Sequence, residues 1–163
     1  MKVLVSEPGR LVVQLTPRER QEMRVVLHAM AKERRKAPPL TRGDAQGMPG
    51  DAAALLAGEL LGGLEDARIA ATALLEDPAR CVQGKGGYGL RTTEAEAEGL
   101  LRALNGARVA FWEALGSPDF EAGERVEPTE RNRLLVALLE VAGSLVGRWL
   151  ECMAGDAAEE GEE

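Results

Sequence analysis

Two short, predominantly hydrophobic runs lie near the start of the chain, at residues 2–5 and 11–15. Both runs are rich in valine and leucine, and Pro8-Gly9 between them is typical of a tight turn. The pattern predicts an N-terminal β-hairpin.

Four later segments carry apolar residues at helical spacings of three and four, which predicts amphipathic helices over about residues 16–36, 51–76, 93–115 and 128–150. Thr16 and Thr93 are each followed three residues later by a glutamate, and this capping box marks a helix start. Asp51 is the expected cap of the second helix, and Pro128 the expected first-turn residue of the fourth.

These elements predict a mainly α fold, a four-helix bundle that carries a small N-terminal β-hairpin and a third short strand near residues 88–92. A break at Gly62-Gly63 would make five helices, because glycine costs about 1 kcal/mol relative to alanine inside a helix. The prolines and glycines of residues 37–50 predict a surface loop. We expect one domain over residues 1–154 and a disordered acidic tail over 155–163.

Composition restricts the class of protein. The chain of 163 residues is 45% hydrophobic and 29% charged, which excludes wholesale disorder, and its aromatic fraction of 3% favours helices over a β-sandwich. Its two cysteines, Cys81 and Cys152, show no CxxC spacing, and no apolar leader or membrane-spanning stretch is evident. A cytoplasmic location is therefore expected.

Charge is distributed unevenly. The net charge is -7, but residues 1–50 hold 10 Lys and Arg against 5 Asp and Glu. The basic residues between Lys32 and Lys36 would suit the negative end of a helix dipole or contact nucleic-acid phosphates. We favour the first interpretation, since the chain as a whole is acidic and no aromatic residue lies nearby to stack on bases.

The segment 84–89 satisfies the GxGxxG pattern, in which Lys85, Gly86 and Gly87 are candidates to contact a phosphate. A dinucleotide site needs a hydrophobic strand before these glycines and a helix opening at the last one. Residues 79–83 make a poor strand, and the next helix is capped only at Thr93. A turn is the favoured interpretation, with small-ligand or nucleotide binding by residues 83–89 as the alternative.

Candidate catalytic chemistry is sparse. His28 is the only histidine, no GxSxG motif accompanies it, and it lies beside an apolar stripe, so we interpret it as a partly buried structural residue. No cluster of cysteine and histidine and no Glu-x-x-His pair suggests a metal site. The expectation is a protein without catalytic residues, cofactor or metal.

Several residues of the last two helices are candidates for an interaction surface. Gly143 and Gly147 lie one turn apart, which we interpret as close helix packing in a core, with a self-associating face as the alternative. Trp112 and Trp149 are suitable anchors of an interface if they are exposed.

Asn105 and Arg108 lie three residues apart on the third predicted helix, beside its apolar seam. They suit either a buried polar contact that sets the register of the bundle or a part of a partner surface. We favour the buried contact, because polar groups near a core usually form internal hydrogen bonds.

Residues 93–108 include Leu101, Arg102, Leu104, Asn105 and Arg108, which form a Leu-Arg-x-Leu-Asn-x-x-Arg segment. This segment resembles the helix of a bacterial family known as domain of unknown function number 2017. The order of elements is also similar, with an N-terminal strand that leads into a capped helix. The family brings no catalytic residues. Its genes often neighbour that of the Clp protease adaptor, so the resemblance implies a link to regulated proteolysis.

Together these observations predict a cytoplasmic, non-enzymatic helical module that binds a protein partner and is able to form a homodimer. Ligand binding by the glycine-rich segment is the first alternative. Weak nucleic-acid binding through residues 32–36 is the second, and it is not favoured.

Overall fold

A computed structural model describes residues 1–7, 9–33 and 50–159. In this part of the chain the strands are β1 (Lys2–Glu7), β2 (Arg10–Leu15), β3 (Cys81–Gly84) and β4 (Gly87–Thr92). The helices are α1 (Pro17–Glu33), α2 (Gly50–Glu76), α3 (Glu94–Ala114) and α4 (Arg133–Glu159). The strands pair into one antiparallel sheet in the order β1-β2-β4-β3.

The fold is therefore mixed α and β, and the predicted mainly α bundle with one small hairpin is wrong. The N-terminal hairpin is confirmed, and the third short strand expected near residues 88–92 is β4. The sequence pattern predicts neither β3 nor the pairing of the two hairpins through β2 and β4. In β3 only Cys81 is buried, so the strand has no alternating apolar pattern to reveal it.

The hydrophobic core lies between one face of this sheet and the helices. Val13, Leu15 and Leu90 are fully buried on the sheet. Helix α3 packs against α1, α2 and α4, so it is the central helix. Its buried residues recur at helical spacing and form one seam: Ala97, Leu100, Ala103, Leu104, Gly106, Ala107, Ala110 and Phe111.

Helix α2 runs without interruption through Gly62 and Gly63, so the five-helix alternative is wrong. Both glycines are exposed, and no other part of the described chain lies within 4 Å of where a Cβ would be. Further along the helix, residues at helical spacing pack into the core, where Ala71 and Leu75 are buried. Burial of this stripe stabilises the helix against the glycine pair, whose cost is about 2 kcal/mol.

The two capping boxes are confirmed. The Thr16 and Thr93 hydroxyls accept hydrogen bonds from the backbone N–H groups of Glu19 (3.1 Å) and Glu96 (3.2 Å), and each glutamate accepts one in return.

Other helix boundaries differ from expectation. Helix α2 begins at Gly50, so Asp51 lies inside it and is not its cap. Helix α4 begins at Arg133, after a turn in which Thr129 and Asn132 bond reciprocally, so Pro128 is not in its first turn. The helix also includes residues 155–159, which were assigned to the acidic tail. Residues 34–49, with most of the predicted loop, and 160–163 lie outside the described residues.

Candidate functional site

Two cavities lie along the seam between helices α3 and α4, and we call them together the α3–α4 groove. One end is a cavity of about 440 Å³ lined by Arg108, Val109, Trp112, Phe120, Leu139 and Gly143. The other end, also of about 440 Å³, is lined by Glu98, Leu101, Arg102, Asn105, Val146 and Leu150. The two ends together bring four of the six predicted interface residues, Asn105, Arg108, Trp112 and Gly143, to one surface.

Each of the two helices carries two adjacent stripes of residues at helical spacing. One stripe is buried in the core, and the other, displaced by one residue along the sequence, lines the groove. On α4 the buried residues are Leu138, Ala142, Leu145 and Trp149, and the groove residues are Leu139, Gly143, Val146 and Leu150. A step of one residue turns an α-helix by about 100°. Apolar side chains next to the core stripe on this side are consequently only partly buried, and Leu150 is exposed.

The aromatic end of the groove is built by the chain after α3. Trp112 is half-buried, and its indole Nε1 donates a hydrogen bond of 2.9 Å to the Pro118 carbonyl. This bond holds the 115–120 segment against the helix, where the Phe120 ring is 51% exposed. An exposed aromatic ring beside a half-buried tryptophan provides apolar area for a partner.

Trp149, the other predicted anchor, is fully buried in the core. It lies on the same α4 stripe as Leu138, Ala142 and Leu145, so its role is packing. Since a partner reaches only exposed groups, we assign Trp149 no direct part in binding.

Asn105 and Arg108 both lie exposed on α3. The Arg108 Nε donates a hydrogen bond of 3.1 Å to the Asn105 Oδ1. The favoured interpretation, a buried contact that sets helix register, is therefore wrong, because neither side chain is in the core. The alternative is consistent with the structure: both residues line the groove.

The two glycines of α4 do not form a tight helix contact in the described chain, so the favoured interpretation of close packing in a core is wrong. A Cβ at Gly143 would meet only the Arg108 Cδ, at 3.9 Å, and one at Gly147 would meet nothing within 4 Å. The glycine that does permit close helix packing is Gly106 of α3, where a Cβ would overlap the Leu64 side chain of α2. The sequence does not single out Gly106, because one glycine in an alanine-rich helix carries no spacing signal.

The glycine-rich segment forms the β3–β4 turn, with Lys85 exposed at its tip. Gly87 has a φ of 125°, and a Cβ there would overlap the Leu15 carbonyl oxygen. The Gly86 carbonyl accepts a hydrogen bond of 3.3 Å from the Gln14 side chain. These glycines thus allow the hairpin to turn and pack against β2; ligand binding by the segment stays a prediction.

A second cleft, of about 630 Å³, lies between α1, α2 and the start of α4. His28 is exposed on its wall, so the interpretation as a partly buried residue is wrong. Lys32 also lines this cleft, while residues 34–36 of the predicted basic cluster lie outside the described residues. Arg24 forms an ion pair of 3.2 Å with Glu76 across the cleft, so part of the positive charge of the cleft is neutralised within the chain.

A buried charge cluster joins α1 to α4. Glu19 is 4% exposed and accepts hydrogen bonds from the N-terminal ammonium (2.8 Å) and Arg148 (3.3 Å). Burial acts to raise the pKa of Glu19, but hydrogen bonds from the ammonium group and Thr16 outweigh it and lower the pKa. Arg148 also donates to Glu22 at 3.0 Å. The cluster is directed away from the groove residues and stabilises the fold.

This cluster predicts a loss of stability in acid. Because the folded-state pKa of Glu19 is lowered, the unfolded chain binds more protons as the pH falls through the usual carboxyl range, and the free energy of unfolding decreases. Glu19→Gln is expected to lower that free energy by about 2 kcal/mol at pH 7, and to make its decrease between pH 7 and 3 shallower. Urea titrations across that pH range measure both effects. The exposed Glu121→Gln is the matched control, and equal slopes for the two variants would contradict the assignment.

No family model, curated protein sequence or solved structure matches the chain. Within the described residues, no group of three or more His, Cys, Asp or Glu side chains is placed to hold a metal ion. None of the described helices is long and apolar enough to cross a membrane.

Proposed function

We propose that this chain is a non-enzymatic, cytoplasmic protein-interaction module whose α3–α4 groove binds an amphipathic helix. The observation that carries the proposal is the exposure of Phe120 (51%) and Leu150 (49%) at the two ends of the groove, with partly buried apolar side chains between them. Two neighbouring helices with an apolar seam between them present a surface into which the apolar stripe of a third helix packs.

The charges around the groove restrict the partner. Arg102 and Arg108 lie exposed along α3, while Glu98 lies at the far end. A helix that binds here needs an apolar stripe flanked by acidic residues opposite the arginines and a basic residue opposite Glu98. Such complementarity selects the partner and its direction more than it adds affinity.

The cellular setting rests on the resemblance of residues 93–108 to domain of unknown function number 2017. That resemblance supports a role beside regulated proteolysis, in which a module of this kind would hold a partner protein without acting on it chemically.

A comparison of two exposed apolar residues tests the groove. Leu150 in the groove is 49% exposed and Ile69 on α2 is 52% exposed, so their aspartate variants remove similar surfaces. Tagged wild-type protein and both variants are used to capture partners, including a differently tagged second copy, at physiological salt. We expect Leu150→Asp to lower retention of the bound protein about tenfold, equivalent to 1.4 kcal/mol, and Ile69→Asp to leave it unchanged.

Circular dichroism and thermal unfolding establish that both variants are folded. Equal retention by Leu150→Asp and wild-type protein would contradict the proposal, as would a loss that Ile69→Asp causes to the same extent.

A further inference from the structure

We propose that the cleft between α1, α2 and the start of α4, which we call the α1–α2–α4 cleft, binds a small amphiphilic anion. Such a ligand has an apolar body that carries one carboxylate or phosphate group. The cleft is separate from the α3–α4 groove, since no residue lines both. The inference therefore goes beyond the proposed function and does not depend on it.

The size and the apolar wall of the cleft suit a small molecule. Its volume of about 630 Å³ lies within the range of roughly 300–1,000 Å³ that is typical of ligand sites. Val25 and Leu134 are 45% and 68% exposed, so the apolar body of a ligand would cover side chains that otherwise contact water. The apolar residues that line the cleft are Val25, Ala29, Leu134, Leu135 and Leu138.

The cleft is basic although the chain as a whole is acidic. Four basic and two acidic side chains line it, in a chain whose net charge is -7. An excess of positive charge in a concave site favours an anionic ligand over a neutral or cationic one. The basic residues are Arg24, Lys32, Arg68 and Arg131, and the acidic residues are Glu33 and Glu76.

Two of these basic residues have no acidic partner. Lys32 near the end of α1 and Arg131 in the turn before α4 are both exposed, and neither forms an ion pair within the described part of the chain. Arg68 differs, because its Nε donates a hydrogen bond of 2.8 Å to Glu65. Lys32 and Arg131 therefore supply the positive charge that the chain itself leaves unbalanced.

Arg24 adds an unused hydrogen-bond donor at the wall of the cleft. Its terminal nitrogen is paired with Glu76, but its Nε is buried and has no hydrogen-bond partner in the described residues. Most buried polar groups in proteins have such a partner. An acceptor oxygen held against this wall would satisfy Arg24.

The charges and the apolar wall together define the ligand class. A bare inorganic anion would leave Val25 and Leu134 exposed to water. A purely apolar molecule would reduce the hydration of Lys32 and Arg131 without giving them a partner, which is unfavourable. A short alkyl or aromatic body with one anionic group satisfies both kinds of side chain.

Titration of the isotopically labelled full chain with defined probes, followed by ¹H–¹⁵N NMR, tests this assignment. Sodium octanoate and octyl phosphate carry the two anionic groups on the same alkyl chain, and the tighter of them identifies the preferred group. 1-Octanol lacks the charge and acetate lacks the apolar body. We expect saturable shifts at the amides of Ala29 and Leu135 with octanoate or octyl phosphate, and binding at least tenfold weaker with 1-octanol and acetate.

Charge reversal locates the anionic group. Lys32→Glu and Arg131→Glu replace exposed side chains, and we expect each to raise the dissociation constant of the tighter probe about tenfold at low salt. Arg91→Glu, at an exposed arginine of β4, is the matched control and leaves that constant unchanged. The same spectra establish that each variant is folded.

The absence of saturable binding by both anionic probes would overturn the inference. So would equal binding of 1-octanol, shifts confined to the α3–α4 groove, or a loss that Arg91→Glu causes to the same extent as Lys32→Glu. Leu150→Asp separates this site from the proposed function, because it alters the groove and is expected to leave probe binding unchanged.

Discussion

Trp149→Ala is expected to lower the free energy of unfolding by about 4 kcal/mol, the typical cost of deleting a large buried aromatic side chain. Trp149 is fully buried on the α4 stripe that packs into the core with Leu145. Its truncation removes the apolar area of the indole ring and leaves a cavity that neighbouring side chains fill only in part. Urea titration followed by circular dichroism measures the loss.

The matched variant is Trp112→Ala, at the half-buried tryptophan of the groove. Its truncation removes less buried area and one hydrogen bond, so we expect a loss of about 2 kcal/mol or less. The order of the two losses is the informative result. A Trp112→Ala variant less stable than Trp149→Ala would contradict the assignment of one tryptophan to the core and the other to the groove.

Gly87→Ala is expected to lower the free energy of unfolding by about 3 kcal/mol, through backbone strain and overlap together. The φ of 125° at Gly87 is a conformation that residues with a side chain rarely adopt. A Cβ at this position would also overlap the Leu15 carbonyl oxygen, which belongs to the backbone and has little room to move. The β3–β4 hairpin would then separate from β2 or distort.

Gly84→Ala is the control for this variant. Gly84 lies on the other side of the same turn, and a Cβ there meets nothing closer than the Gly87 carbonyl oxygen at 4.0 Å. We expect a change within about 1 kcal/mol, measured by the same urea titrations. A Gly87→Ala variant as stable as Gly84→Ala would show that the turn does not have the geometry described.

Local signals in the sequence predicted local structure well. The capping boxes at Thr16 and Thr93 depend on side chains within one turn, so their spacing is sufficient to locate two helix starts. The N-terminal hairpin likewise depends on neighbouring runs and the turn between them. The second hairpin depends on a strand that is distant in sequence. Strand β3 pairs with β4, and β4 pairs with β2, which lies near the start of the chain.

The groove shows a different limit. The apolar residues of α4 cover more than one face, and the sequence does not say which of its two adjacent stripes meets the core. The structure shows that the stripe of Leu138, Leu145 and Trp149 is the one that meets the core. On α3 the helical spacing from Leu104 through Ala107 predicts Phe111 on the core seam, and the structure confirms it: Phe111 is fully buried and Trp112, the next residue, is only partly buried.

The glycines also show that spacing along the sequence does not identify close helix contacts. Gly143 and Gly147 have the spacing of a close helix contact, yet the described chain places no helix against Gly147. Gly106 has no such spacing, yet a Cβ at Gly106 would overlap the Leu64 side chain of α2. Helix α2 therefore packs closely against α3 at this glycine. Which small residues face a neighbour is decided by tertiary packing, so spacing alone does not separate a core contact from an open face.

Site-specific photo-crosslinking tests the central claim, that the α3–α4 groove is the surface through which this protein binds another chain. A benzophenone amino acid placed at Phe120 or Leu150 reports on the two ends of the groove, and one at Ile69 of α2 is the exposed control. We predict a discrete cross-linked protein from both groove positions in native cells and none from Ile69. Cross-links from Ile69 alone, or none from either groove position at native expression, would contradict the account.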